Sequence, residues 1–119
     1  MGGFFSSLPD VDMDGPEAEL VREIIHEKCV VVFSKTYCGY SRMAKQTLDS
    51  VHAHYEVVEL DKRGDGEKIQ AVLGKMTGAT TVPRVFIKEK CVGGGTEVKA
   101  LHDSGKLVPM LQECNAIIE

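Results

Sequence analysis

Residues 29–33, CVVVF, carry no polar side chain on either face of an extended strand, and no other stretch constrains the fold as much. A β-branched run that is apolar on both faces needs a layer over each, which suits a central place in a sheet. Helical periodicity supplies the layers. PEAELVREIIHEK puts Leu20, Val21, Ile24 and Ile25 on one face, with Pro16 suited to the first turn. From Gly39 to about Val51, Met43, Ala44, Leu48 and Val51 recur at helical spacing. YEVVELD alternates as a second strand, and GEKIQAVLGKMTG carries an Ile69, Val72, Leu73 and Met76 stripe closed by Gly78. A strand over Arg84–Ile87, a tight turn at Lys88–Lys90 and a short return strand form a hairpin. Two short helices broken at Ser104 and Gly105 complete the chain. The expectation is an α/β chain in which helices and strands alternate.

At 119 residues this is one domain. Residues 1–16 read as a flexible polar tail and 17–119 as the folded unit. The net charge of −4 gives no reason to expect nucleic-acid binding, which would need a basic surface. No apolar run approaches the roughly 20 residues that span a bilayer, so no stable membrane insertion is expected. The first fifteen residues have neither the basic start of a signal peptide nor an Arg, which points to a cytosolic chain. MGGFFS matches the loose M-G-x-x-x-[ST] pattern for myristoylation at Gly2.

The chemistry centres on SKTYCGYSRMAK, residues 34–45. Cys38 falls where a central strand feeds a helix N-terminus, and amide N–H groups and the helix dipole there favour a thiolate. Lys35 is placed to add positive charge. Ser41 occupies the position where a C-x-x-C pair would carry its second sulfur, so a resolving thiol is missing. The other cysteines, 29, 91 and 114, show no zinc-ligand spacing. His26, His52, His54 and His102 accompany no second nucleophile and read as surface or interfacial residues.

Two further elements stand near this motif in the expected order. Pro83 in TVPR is compatible with a cis peptide bond that aims the Val82 backbone at an extended ligand, and equally with an ordinary strand-entry proline. GGGTE, leading into a helix near Thr96, is compatible with an anion site for a ligand carboxylate, or with a hairpin exit that needs positive φ.

Together, SKTYCGYS, TVPRVFI and CVGGGTEV resemble the glutaredoxin family over about residues 17–114. The resemblance implies a thioredoxin fold, a four-stranded mixed sheet flanked by about five helices, and a glutathione-dependent thiol–disulfide oxidoreductase. It implies Cys38 as nucleophile, Lys35 and Gln70 on the glycine carboxylate of glutathione, and Tyr40 beside the sulfur. It also implies that Val82, before cis-Pro83, pairs with the cysteinyl unit and that Gly94, Gly95, Thr96 and Glu97 hold the γ-glutamyl end. Glu97 stands where the family usually has Asp.

CVVVFSKTYC, VVELD, KMTG and LHDSGKLVP are similar to the vertebrate glutaredoxin-2 branch. That likeness implies a disulfide between Cys29 and Cys114 in the last helix, although two free thiols would give the same sequence. It admits a mitochondrial isoform. The branch usually has Cys at position 41, so C-G-Y-S describes either a monothiol enzyme or a dithiol site altered to trap its glutathione adduct. One sulfur suffices to deglutathionylate protein–glutathione mixed disulfides, acting as a monomer. The alternative implied by the family is a cluster-bridged homodimer in which each Cys38 and one glutathione per subunit bind a [2Fe–2S] cluster, with Gly39 leaving room.

Overall fold

The computed structural model describes residues 11–117. The elements are α1 (Pro16–Glu27), β1 (Val30–Ser34), α2 (Gly39–Ser50), β2 (Glu56–Glu59), α3 (Gly66–Thr77), β3 (Arg84–Ile87), β4 (Lys90–Gly93), α4 (Gly95–Asp103) and α5 (Leu107–Gln112). A single 3-10 turn, Leu60–Lys62, links β2 to α3. The sheet order is β2-β1-β3-β4, with β1 and β2 parallel and the other pairs antiparallel. This is the mixed four-stranded sheet with five helices expected from the sequence.

β1 is buried at all five positions. Alternate residues of a strand point to opposite faces, so its side chains divide between two cores. Val31 and Phe33, with Phe86 of β3, pack against α1 and α3 through Val21, Ile25, Ile69 and Leu73. Val30 and Val32, with Val85 and Ile87, pack against α2, α4 and α5 through Leu48, Val98, Leu107 and Leu111. Val11 and Met13, from the stretch read as a tail, lie against the first of these cores. Gly2 and its acylation pattern fall outside the described residues. Among the described residues no helix is long and apolar enough to cross a membrane.

Element ends follow local chemistry. Pro16 opens α1, and Gly78 closes α3 in the left-handed region at φ 81°. The hairpin turn places Lys88 and Glu89 at φ 52° and 69°, the mirror-image geometry whose twist matches the flanking strands. Cys29, just before β1, and Cys114 are joined in a disulfide with Cα atoms 6.3 Å apart. Cys114 lies two residues past the end of α5 rather than inside it. In the chain-entropy model a loop of this length contributes about 4–5 kcal/mol.

Phe33 is fully buried and meets Phe86 edge-to-face at 5.7 Å. Phe33→Ala is expected to cost about 3–5 kcal/mol of stability. Urea titration is the check, with a lowered midpoint at an unchanged slope as the expected result.

Candidate functional site

β1 ends at Ser34, and four residues carry the chain from its buried end to α2. Cys38 donates its N–H to the Lys35 carbonyl at 3.1 Å, which closes a turn, and then serves as the N-cap of α2. Thr36, Tyr37, Gly39 and Tyr40 are exposed around it, with Tyr37 68% and Tyr40 59% accessible. Cys38 is half-buried between them.

In the thiol form Cys38 caps no helix amide, and its Sγ donates to the Val82 carbonyl at 3.7 Å. Partial burial pushes the pKa up, but the interactions that favour the thiolate outweigh it and the net shift is downward. The largest of these is a hydrogen bond from the Ser41 hydroxyl, followed by the backbone N–H groups of Ser41 and Tyr40 and the charge of Arg42. A helix start therefore acts here as a thiolate site in the way its amide geometry predicts. Ser41 is fully buried, and its Oγ also accepts from the Lys35 N–H at 3.4 Å. The position that looked like a missing sulfur is thus occupied by a group that stabilises the remaining one. Lys35 was expected to supply the positive charge; the cation acting on the thiolate is Arg42, one turn along α2. Its spacing of four from Cys38 was the available signal.

The other candidate residues gather around this helix start. The Val82–Pro83 bond is cis. Arg84 Nε donates to the Pro83 carbonyl at 3.0 Å, and the Arg84 guanidinium lies against Gly94. A Cβ on Gly95 would collide with the Tyr40 carbonyl oxygen, so only glycine lets α4 close onto the start of α2. Gly93 has φ 117° and meets the opening condition for a hairpin exit. Glu97 Oε1 accepts from the Gly94 N–H at 2.7 Å, so the carboxylate is already engaged at the first turn of α4, while Thr96 is exposed. Gln70 reaches from α3, where its amide donates to the Thr80 carbonyl at 2.6 Å, two residues before Val82. The structure brings Cys38, Tyr40, Ser41, Val82, Pro83, Gly94 and Gly95 together directly. Lys35 joins through its backbone, and Gln70 and Glu97 stand at the margins.

Asp61, the last residue of the YEVVELD strand segment, is not among the candidate site residues that the sequence offers. Its carboxylate accepts the Thr36 N–H at 3.0 Å and also the Thr36 hydroxyl. No sequence signal links two residues 25 positions apart. All four histidines are exposed. Among the described residues no group of three or more His, Cys, Asp or Glu is poised for a metal ion.

Residues 30–92 match the family model described as Glutaredoxin. The chain is 46% identical over 123 residues to glutaredoxin-C1 of Arabidopsis thaliana, covering 100% of this chain and 96% of that one. It is 45% identical over 94 residues to mitochondrial glutaredoxin-2 of Homo sapiens, covering 79% of this chain and 57% of that one. A solved buckwheat glutaredoxin–glutathione complex superposes with a TM-score of 0.83 at 46% identity, over 86% of this chain and 93% of that chain.

Ser41→Ala removes the largest favourable contact to the thiolate and leaves the helix amides in place. Alkylation of Cys38 by iodoacetamide is expected to slow several-fold near pH 6 and to approach the parent rate above pH 9, because the shift acts only where the thiolate fraction is limiting. A profile coincident with the parent protein's would show that the hydroxyl does not hold the thiolate.

Proposed function

The chain belongs to the glutaredoxin family of glutathione-dependent thiol oxidoreductases, built on the thioredoxin fold, and on that premise we propose that it deglutathionylates proteins by a monothiol route through Cys38. The observation that carries this reading is the single free thiol at the α2 N-cap, its pKa lowered by Ser41, with no second sulfur at position 41. A dithiol site resolves a mixed disulfide with its second thiolate, whereas a hydroxyl is no leaving or attacking group in thiol exchange.

The Cys38 thiolate attacks the glutathionyl sulfur of a protein–S–SG substrate. The substrate S–S bond breaks, the protein thiolate departs and takes a proton from solvent, and Cys38–S–SG forms. A glutathione thiolate then attacks the same glutathionyl sulfur, releasing oxidised glutathione and restoring the Cys38 thiolate. Each step is one exchange, so orientation of glutathione supplies both alignment and selectivity. In this reading Tyr40 and the Val82 backbone flank the glutathione sulfur, Lys35 and Gln70 take its glycine carboxylate, and Gly94, Gly95, Thr96 and Glu97 take the γ-glutamyl end. Pro83 fixes Val82 in place. The buckwheat relative, solved with glutathione, supports glutathione as the ligand. The proposed partners are glutathione and glutathionylated proteins, and the proposed setting is cytosolic.

Incubation with oxidised glutathione followed by intact mass spectrometry tests the reading. One added glutathione on Cys38, reversed by reduced glutathione and missing in Cys38→Ser, is the expected result. A protein without the adduct under those conditions overturns it.

The second reading, a glutathione-ligated [2Fe–2S] dimer, is favoured by one observation: a Cβ built on Gly39 meets nothing nearer than the Arg42 guanidinium at 3.9 Å. One subunit offers a single thiolate there, so the donor set fits only if a second copy and two glutathiones complete it. When bound, such a cluster ties up both Cys38 thiolates and supplies a redox-sensitive store in place of thiol exchange. Anaerobic reconstitution with ferrous iron, sulfide and glutathione checks this by visible absorption and size-exclusion chromatography. A coloured dimer supports it, and a colourless monomer excludes it.

A further inference from the structure

We propose that the segment leaving β2, Glu59–Asp61, is a clamp that positions the Cys38 loop, with Asp61 as the positioning residue that acts through Thr36. The inference rests on the reading of Cys38 as the reacting sulfur and adds to it a residue that touches neither the sulfur nor glutathione in that reading.

Thr36 precedes Cys38 by two residues, inside the turn closed by the Cys38 N–H on the Lys35 carbonyl. Both of its hydrogen-bond donors, backbone N–H and hydroxyl, go to the two oxygens of one carboxylate. Two bonds to one planar acceptor restrain the turn against sliding and against rotation, which a single bond would not do. Asp61 is itself carried on a rigid support. Leu60 beside it is 3% exposed in the core, and Gly66 packs so closely onto the Leu60 carbonyl that a Cβ there would collide. At the other end of the segment, Glu59 Oε2 accepts from Lys45 Nζ of α2 at 2.6 Å. One support therefore grips the loop before Cys38 and the helix after it.

The consequence is chemical because the amide and hydroxyl contacts to the thiolate weaken steeply with misalignment. The Thr36 hydroxyl, the leading cause, and the Thr36 N–H and Lys62 hold the Asp61 carboxyl below its usual range, so the clamp is set at neutral pH. Geometry and charge make opposite demands. A negative side chain near a thiolate disfavours it, so removing Asp61 for its charge alone would move Cys38 titration to lower pH. Removing it as a clamp loosens the helix-start contacts and moves titration to higher pH.

The test compares Asp61→Ala, Asp61→Asn, Thr36→Val and Thr36→Ser with the parent chain and Cys38→Ser. The readouts are kcat and KM on a glutathionylated peptide with glutathione as reductant, the pH profile of Cys38 alkylation, and thermal unfolding. Asp61→Ala and Thr36→Val are expected to lower kcat roughly tenfold, within what a small misplacement of a reacting group costs. Both should shift the alkylation profile to higher pH, with KM for glutathione within about twofold. Thr36→Ser keeps both donors and should retain the parent profile, and Asp61→Asn, which keeps one acceptor, should fall between. Thr36→Val with parent kcat and profile overturns the clamp, as does an Asp61→Ala profile moved to lower pH at undiminished rate. Thr36 is exposed, so the Val and Ser pair decides the matter even if Asp61→Ala unfolds. Activity retained by Cys38→Ser would instead refute the underlying reading. An inactive Cys38→Ser beside fully active Asp61→Ala and Thr36→Val would refute the clamp alone.

Discussion

Because β1 is covered on both faces, the chain leaving it has one route to solvent, at its C-terminal end. Val31 and Phe33 are held by α1 and α3, Val30 and Val32 by α2, α4 and α5, and Ser34 is the last buried residue. The next helix must begin within a few residues to cover the sheet again. Its unpaired amides therefore face the place where the strand emerges. Cys38 stands there, and its position at the helix start follows from the layering of the sheet and helices.

The thiolate is held by contacts of different origin. The Tyr40 and Ser41 amides belong to the helix start, and the Ser41 hydroxyl and Arg42 charge come from its first turn. All are local in sequence. The Val82 carbonyl, by contrast, comes from the loop before β3, where it accepts the thiol proton when the sulfur is protonated. Gly95 brings α4 against Tyr40 from a third direction. The site is assembled from three loops at one end of the strands, where β1 finishes and β3 begins, and each loop is short because the elements it joins are packed directly on β1 or its neighbours.

Ser41 illustrates how burial changes the meaning of a residue. In the bare motif it reads as a lost resolving thiol. Fully buried beneath the loop, its hydroxyl bonds the Lys35 amide and faces the Cys38 sulfur, so it satisfies one backbone group and stabilises one charge. Glu97 likewise has a local partner, its carboxylate accepting from the Gly94 amide at the N-cap of α4.

The sequence by itself determined the element order, the two-faced strand, the helix start at Gly39 and the place of Cys38 directly before it. Each of these rests on periodicity or on neighbours within one helical turn, and such information is written along the chain. Arg42, four residues from Cys38, was legible by the same rule. The Asp61–Thr36 pair, the choice of a cis bond at Pro83, the approach of α4 to Tyr40 and the joining of Cys29 to Cys114 were decided by tertiary structure. Each joins or shapes segments far apart in sequence, and spacing along the chain carries no record of which distant segments packing brings together.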